Sequence, residues 1–150
     1  MRFIRSLSAY ALVTALGAVI GVFLTTIFVL LRLARVGVST PIPDFLAMAG
    51  HDLAQLAPSY AALLAIAFAI AFTAAGVVAR MTPLPRLLVF TVAGAVAVIV
   101  MLFLMKQVFF GVTAIAGARG AEGAAAQVIT GALAGALFAY LTPPAKSRGT

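Results

Sequence analysis

The chain contains no cysteine. That excludes disulfides, thiolate metal sites, thiol redox chemistry and palmitoylation. It contains no asparagine either, so it offers no acceptor for N-glycosylation. Its one histidine, His51, cannot build a metal site of two or three histidines within one chain, nor an axial pair for a haem. Charge is scarce as well: 9% of the 150 residues are Asp, Glu, Lys or Arg, against about 25% in a typical soluble domain. So little charge cannot cover a surface that faces water. No cofactor is expected, and none of the serines sits in a nucleophile motif.

What the chain has instead is apolar sequence. Hydrophobic residues make up 65% of it, and the mean hydropathy is +1.22. The net charge of +7 comes mostly from pairs placed at the ends of apolar runs, such as Arg2 with Arg5 and Arg32 with Arg35. Basic residues so placed orient helices and meet anionic headgroups. A nucleic-acid reader needs a basic face with polar or aromatic readers beside it, and none is legible here. Arg outnumbers Lys eight to two and Ala is abundant, which points to GC-rich codons and a bacterial source.

Four runs are long enough to span a bilayer, which takes about 20 residues each. The first, Ala9 to Leu31, lies between Arg2/Arg5 and Arg32/Arg35, a stop-transfer pattern longer than a signal peptide's apolar region. The second reads from Pro58, tolerated in a helix's first turn, to Ala79, with Tyr60 at headgroup level. The third is Leu87 to Met105 and the fourth Gly123 to Leu141, followed by a disordered tail over 143–150. The expected fold is an all-α membrane protein: one domain of four transmembrane helices, with an amphipathic interfacial helix between helices 1 and 2. With both termini cytoplasmic, six basic residues lie inside and four outside, so the positive-inside rule favours that orientation in a bacterial inner membrane.

The interfacial helix is read from the segment after Pro41 and Pro43. Asp44 suits an N-cap. At 100° per residue Phe45, Leu46, Ala49, Leu53 and Leu56 share one side, and His51 and Gln55 lie opposite. Between helices 3 and 4, Gln107 to Ala118 is uncharged but broken by Gly111 and Gly117. Either helix 3 ends near Lys106, whose side chain then snorkels, or it runs on and buries Lys106 at high cost. Glu122 suits the start of helix 4, with Arg119 as its partner.

Helix 4 carries Gly131-Ala132-Leu133-Ala134-Gly135, and Gln127, Gly131, Gly135 and Ala139 form one stripe of small and polar side chains. Helix 1 carries Gly17 and Gly21, continued by Thr25. Such stripes allow close backbone approach in lipid, within one chain or between chains. The runs contain no ionisable Asp, Glu, Lys, Arg or His, which argues against a proton-coupled pump.

These observations point to a non-enzymatic accessory or scaffold subunit of a larger membrane complex. Its expected partners are membrane lipids with other subunits or further copies of itself. A homo-oligomeric channel or carrier for a neutral or lipidic solute is the alternative. An interfacial lipid enzyme would have to use His51, Asp52, Arg119 and Glu122, and Lys106 completes the list of candidate polar residues. His51 could also serve as a single axial ligand to a pigment or haem supplied by a partner.

Overall fold

The computed structural model describes residues 2–37, 41–108, 118 and 120–142. Four helices follow in order: α1 (Arg2–Arg35), α2 (Ile42–Met81), α3 (Arg86–Val108) and α4 (Ala121–Leu141). Each is long and apolar enough to cross a membrane. At 1.5 Å per residue, the 21 residues of α4 cover about 31 Å, the thickness of a bilayer's hydrocarbon core. The helices overrun the apolar runs at several ends. Charged residues such as Arg5, Arg35 and Arg86 close an apolar run, yet they are good helix formers.

Chain breaks follow backbone chemistry. Past α1 the amides of Val36 and Gly37 bond back to the carbonyls of Leu33 and Ala34, both at 3.1 Å. Gly37 has φ +85°, a conformation open to glycine at no steric cost. Pro41, at φ −59° and ψ 151°, is the N-cap of α2, and its carbonyl accepts from Phe45 N at 3.1 Å. Asp44 is therefore not the cap. It sits one turn inside, where a carboxylate still suits the helix dipole. The bend at 82–84, followed by Pro85, reverses the chain, and Thr82 closes α2 through its amide and hydroxyl, both on the Val78 carbonyl.

The helices pack in a ring, α1 on α2, α2 on α3, α3 on α4, and α4 back on α1. Along α2, Tyr60, Leu64, Phe68, Phe72 and Ala75 are buried, a spacing of three to four residues that marks one face. Four phenylalanines lock three helices near one end. Phe72 stacks on Phe68 at 4.9 Å and on Phe138 at 4.7 Å between centroids, and Phe90 closes on Phe138 at 5.4 Å. Outward, the surface is as apolar as the core: Ile66, Ile70, Phe103, Ile129 and Leu133 are all exposed.

α2 departs from the expected arrangement. The helix does not begin at Pro58 but passes through it without interruption from Ile42. Residues 45–56 are thus the first turns of a 40-residue helix rather than a separate element. Contacts with α1 show that α2 turns, however. Tyr60 meets Gly21, and Asp52 meets Thr26. A straight antiparallel helix would then carry Phe45 past Arg35, about 20 Å from Phe23. Instead the Phe45 and Phe23 rings pack edge to face at 5.9 Å. α2 therefore swings across α1 between Asp52 and Tyr60. Pro58 lies in that stretch, where its missing N–H frees the Ala54 carbonyl and allows the bend.

The first turns of α2 then show three sides rather than two. Phe45, Met48, Ala49 and Asp52 face inward and are buried or half-buried. Ile42, Leu46, Leu53 and Leu56 form an exposed apolar side. His51 and Gln55 are exposed on the polar side. The expected apolar face is split, because one flank is used against α1.

Candidate functional site: a buried polar node between three helices

Gln127 is the polar centre of the molecule. It leaves 1% of its surface exposed, so each of its polar atoms needs a protein partner. Its Oε1 accepts from the Tyr60 hydroxyl at 2.7 Å. Its Nε2 donates to the Gly21 carbonyl at 2.7 Å and to Thr25 Oγ1 at 3.3 Å. The Thr25 hydroxyl in turn donates to the Gly21 carbonyl at 3.0 Å. One amide thereby ties α4 to α1 and α2. The node depends on Gly21, since a Cβ there would come within 2.4 Å of Tyr60 Cε1 and 2.8 Å of Gln127 Oε1.

Tyr60 is 6% exposed and points into the bundle rather than outward. Its place in the first turn after Pro58 was legible, but the direction of its side chain depends on the bend and on Gln127 opposite.

The α4 stripe packs on α3. A Cβ on Gly131 would fall 2.5 Å from the Gly94 carbonyl oxygen, and one on Gly135 would overlap the Phe90 carbonyl. Gly94 answers with an overlap on the Gly131 carbonyl. Sequence reasoning missed Gly94, the single glycine of α3. A lone glycine in an apolar helix costs propensity, and that cost was the available signal. Ala139, at the end of the stripe, is buried and offers its carbonyl to Arg86 Nη1 at 3.0 Å. On α1, Gly17 is not a close approach: a Cβ there would meet Leu64 at 3.5 Å and Phe68 at 3.7 Å, ordinary contacts.

The carbonyls at the end of α4 have no intrahelical donors, and arginines supply them. Arg86 donates to the carbonyls of Ala139 and Thr142 and to Thr142 Oγ1, and lies 4.7 Å over the Phe90 ring. Arg5 Nε donates to the Leu141 carbonyl at 3.0 Å. At the other end of α4, Arg35 pairs with Glu122 at 3.0 Å, both well exposed. Glu122 was expected to pair with Arg119, which lies outside the described residues. The Arg32 guanidinium lies against Gly120, close enough that a Cβ there would displace its tip.

The remaining candidates are not drawn into one constellation. Asp52 is half-buried, its Oδ2 accepting from Thr26 Oγ1 at 2.8 Å, and Thr26 is fully buried. His51 Nδ1 stands 4.0 Å from Asp52 Oδ1, but its side chain is 74% exposed against 19% for Asp52. Adjacent helical residues diverge by about 100°, so the two serve different faces. Lys106 is exposed, two residues before Val108, the last described residue of α3. Most of the glycine-broken connection, 109–117, lies outside the described residues, as does the tail at 143–150. Among the described residues no group of three or more His, Cys, Asp or Glu could hold a metal ion.

Compared with protein-family models, curated proteins and solved structures, the chain shows no match to any of them.

Proposed function

We propose that this chain is a small integral membrane protein with no chemistry of its own, an accessory or scaffold subunit of a larger membrane complex. The observation that carries the reading is how its polar and apolar groups are divided. Gln127, Tyr60, Thr25 and the Gly21 carbonyl satisfy one another inside, while large apolar side chains face outward on all four helices. Lipid rewards that division and water penalises it. The Gln127 cluster is spent on joining helices, which leaves the outer faces as the working surface. The exposed Ile42, Leu46, Leu53 and Leu56 would rest in the headgroup region, with His51 and Gln55 towards water. A bacterial inner membrane with both termini cytoplasmic completes the proposal.

Gentle purification of the natively expressed, tagged chain tests it, with mass spectrometry and an absorbance spectrum of what co-purifies. Stoichiometric membrane partners are expected. A chain recovered alone as a symmetric oligomer would instead favour the channel or carrier reading.

A further inference from the structure

The charged side chains of the described residues are divided unevenly between the two ends of the bundle. One end carries Arg5, Arg80 and Arg86 and no acid. The opposite end carries Arg32, Arg35 and Lys106 together with Asp44, Asp52 and Glu122, the chain's three acids, so its formal charges cancel. Arg35 and Glu122 pair directly. Nothing offsets the arginines in that way. Arg86 is committed within the fold, to the carbonyls of Ala139 and Thr142 and to the Phe90 ring. Arg5 gives only its Nε, to the Leu141 carbonyl. The rest of that guanidinium has no acceptor among the described residues. Arg80 is exposed and has neither a hydrogen bond nor an ion pair among the described residues.

The pairing of α1 with α2 brings these two cations to one level. Gly21 meets Tyr60, and Gly17 meets Leu64 and Phe68. Continued along the two antiparallel helices, that register places Arg5 level with the last turns of α2, which hold Arg80. Depth follows from α4. Its length matches a bilayer's hydrocarbon core, and the carbonyl of its last residue, Leu141, is the one that Arg5 binds. The Arg5 guanidinium therefore stands where lipid tails give way to headgroups. Ile4, Leu7, Met81, Leu84 and Leu87 are exposed at the same end. An acidic protein segment arriving from water would have to displace lipid from those side chains. A phospholipid brings its phosphate to that depth already, with its tails against them. Guanidinium and phosphate also match in shape, two parallel N–H groups donating to two oxygens.

We propose that the face bearing Arg5 and Arg80 is a binding surface for the headgroups of anionic phospholipids, whose phosphates accept from the N–H groups that the fold leaves over. This rests on the reading of the chain as membrane-spanning. A zwitterionic phospholipid offers the same phosphate but carries its own cation, so it gains less from a face without acids.

The test titrates the purified full chain, in a neutral detergent, with phosphatidylglycerol and separately with phosphatidylcholine, reading bound lipid by native mass spectrometry. The wild type should prefer phosphatidylglycerol, and salt should weaken that preference. Arg5→Gln and Arg80→Gln should each lower affinity for phosphatidylglycerol about fivefold, and together about twenty-five-fold. Arg35→Gln with Lys106→Gln removes the same charge from the opposite end and should leave the preference intact. Helical circular dichroism and a single elution peak establish that each variant is folded. Arg80 has no described partner to lose, so Arg80→Gln decides if Arg5→Gln misfolds. No preference in the wild type overturns the proposal, as does a preference that survives in the folded arginine variants or falls equally in the opposite-end control. A wild type that ignores phosphatidylglycerol but binds polyglutamate overturns it in favour of an acidic protein partner. Alkaline extraction of the native membranes separates the two readings. Release at high pH removes the membrane-spanning reading itself, whereas resistance without a preference for phosphatidylglycerol removes the lipid surface alone.

Discussion

Individual residues differ sharply in what they can lose. Gln127→Leu keeps the size of the side chain but leaves the Tyr60 hydroxyl without its acceptor and removes a donor from the Gly21 carbonyl. Destabilisation of about 1–2 kcal/mol is expected from mixed-micelle unfolding, because hydrogen bonds between membrane helices are of that order. Adding Tyr60→Phe should recover part of the loss, since the buried hydroxyl left unpaired is itself removed. The glycines divide in the same way. Gly135→Ala forces a Cβ into the Phe90 carbonyl and should cost about 1–3 kcal/mol by overpacking. Gly17→Ala meets only ordinary contacts and should be neutral or slightly stabilising, since alanine is the better helix former. Sequence spacing marked both glycines alike. Only the neighbours, a backbone carbonyl in one case and the Leu64 side chain in the other, tell them apart.

Elements are held at their ends as much as along their faces. Arg86→Ala removes the donor to Ala139 and Thr142 at the C-terminus of α4, and charge-assisted bonds of this kind contribute about 1.5–3 kcal/mol each. The same unfolding assay should place this variant well below wild type. Glu122→Gln at the opposite end breaks only an exposed pair and should change stability by less than about 1 kcal/mol. The bend in α2 can be tested directly, because the chain has no cysteine of its own. Phe23→Cys with Phe45→Cys should be joined readily by a short bifunctional thiol reagent. Arg35→Cys with Phe45→Cys, the pair that a straight α2 would bring together, should not. Reversal of those yields would remove the bend. Pro58 was read in the sequence as the start of a helix. Proline fits a first turn and a bent interior equally well, and which applies depends on whether the preceding residues find a surface to pack on. Here α1 provides it.

At the scale of the whole molecule, the glycine stripes bear on assembly. As sequence motifs they fit contacts within a chain or between chains. The α4 stripe is taken up by α3, and Gly21 by Tyr60 and Gln127, so neither is left to join copies. Association with other subunits would then have to use the outer aliphatic faces. Those faces also set the expected behaviour in membranes: the chain should stay with the membrane fraction at alkaline pH. Reporter fusions at the two ends should both read cytoplasmic. A tail reading on the opposite side would require an odd number of crossings and overturn the proposed topology.

Much of the architecture was determined by the sequence alone. Charge is too sparse for a water-facing surface, and four apolar runs separated by prolines, glycines and arginines leave little choice but four helices long enough to span a bilayer. Those are properties of composition and local backbone chemistry, which need no knowledge of neighbours. Tertiary structure decided the rest: that Tyr60 turns inward to Gln127, that Gly94 meets Gly131, that Arg35 pairs with Glu122, and that α2 runs through Pro58 and bends. Each is a meeting of residues distant in the chain. No periodicity along one helix states which face of another will lie opposite it.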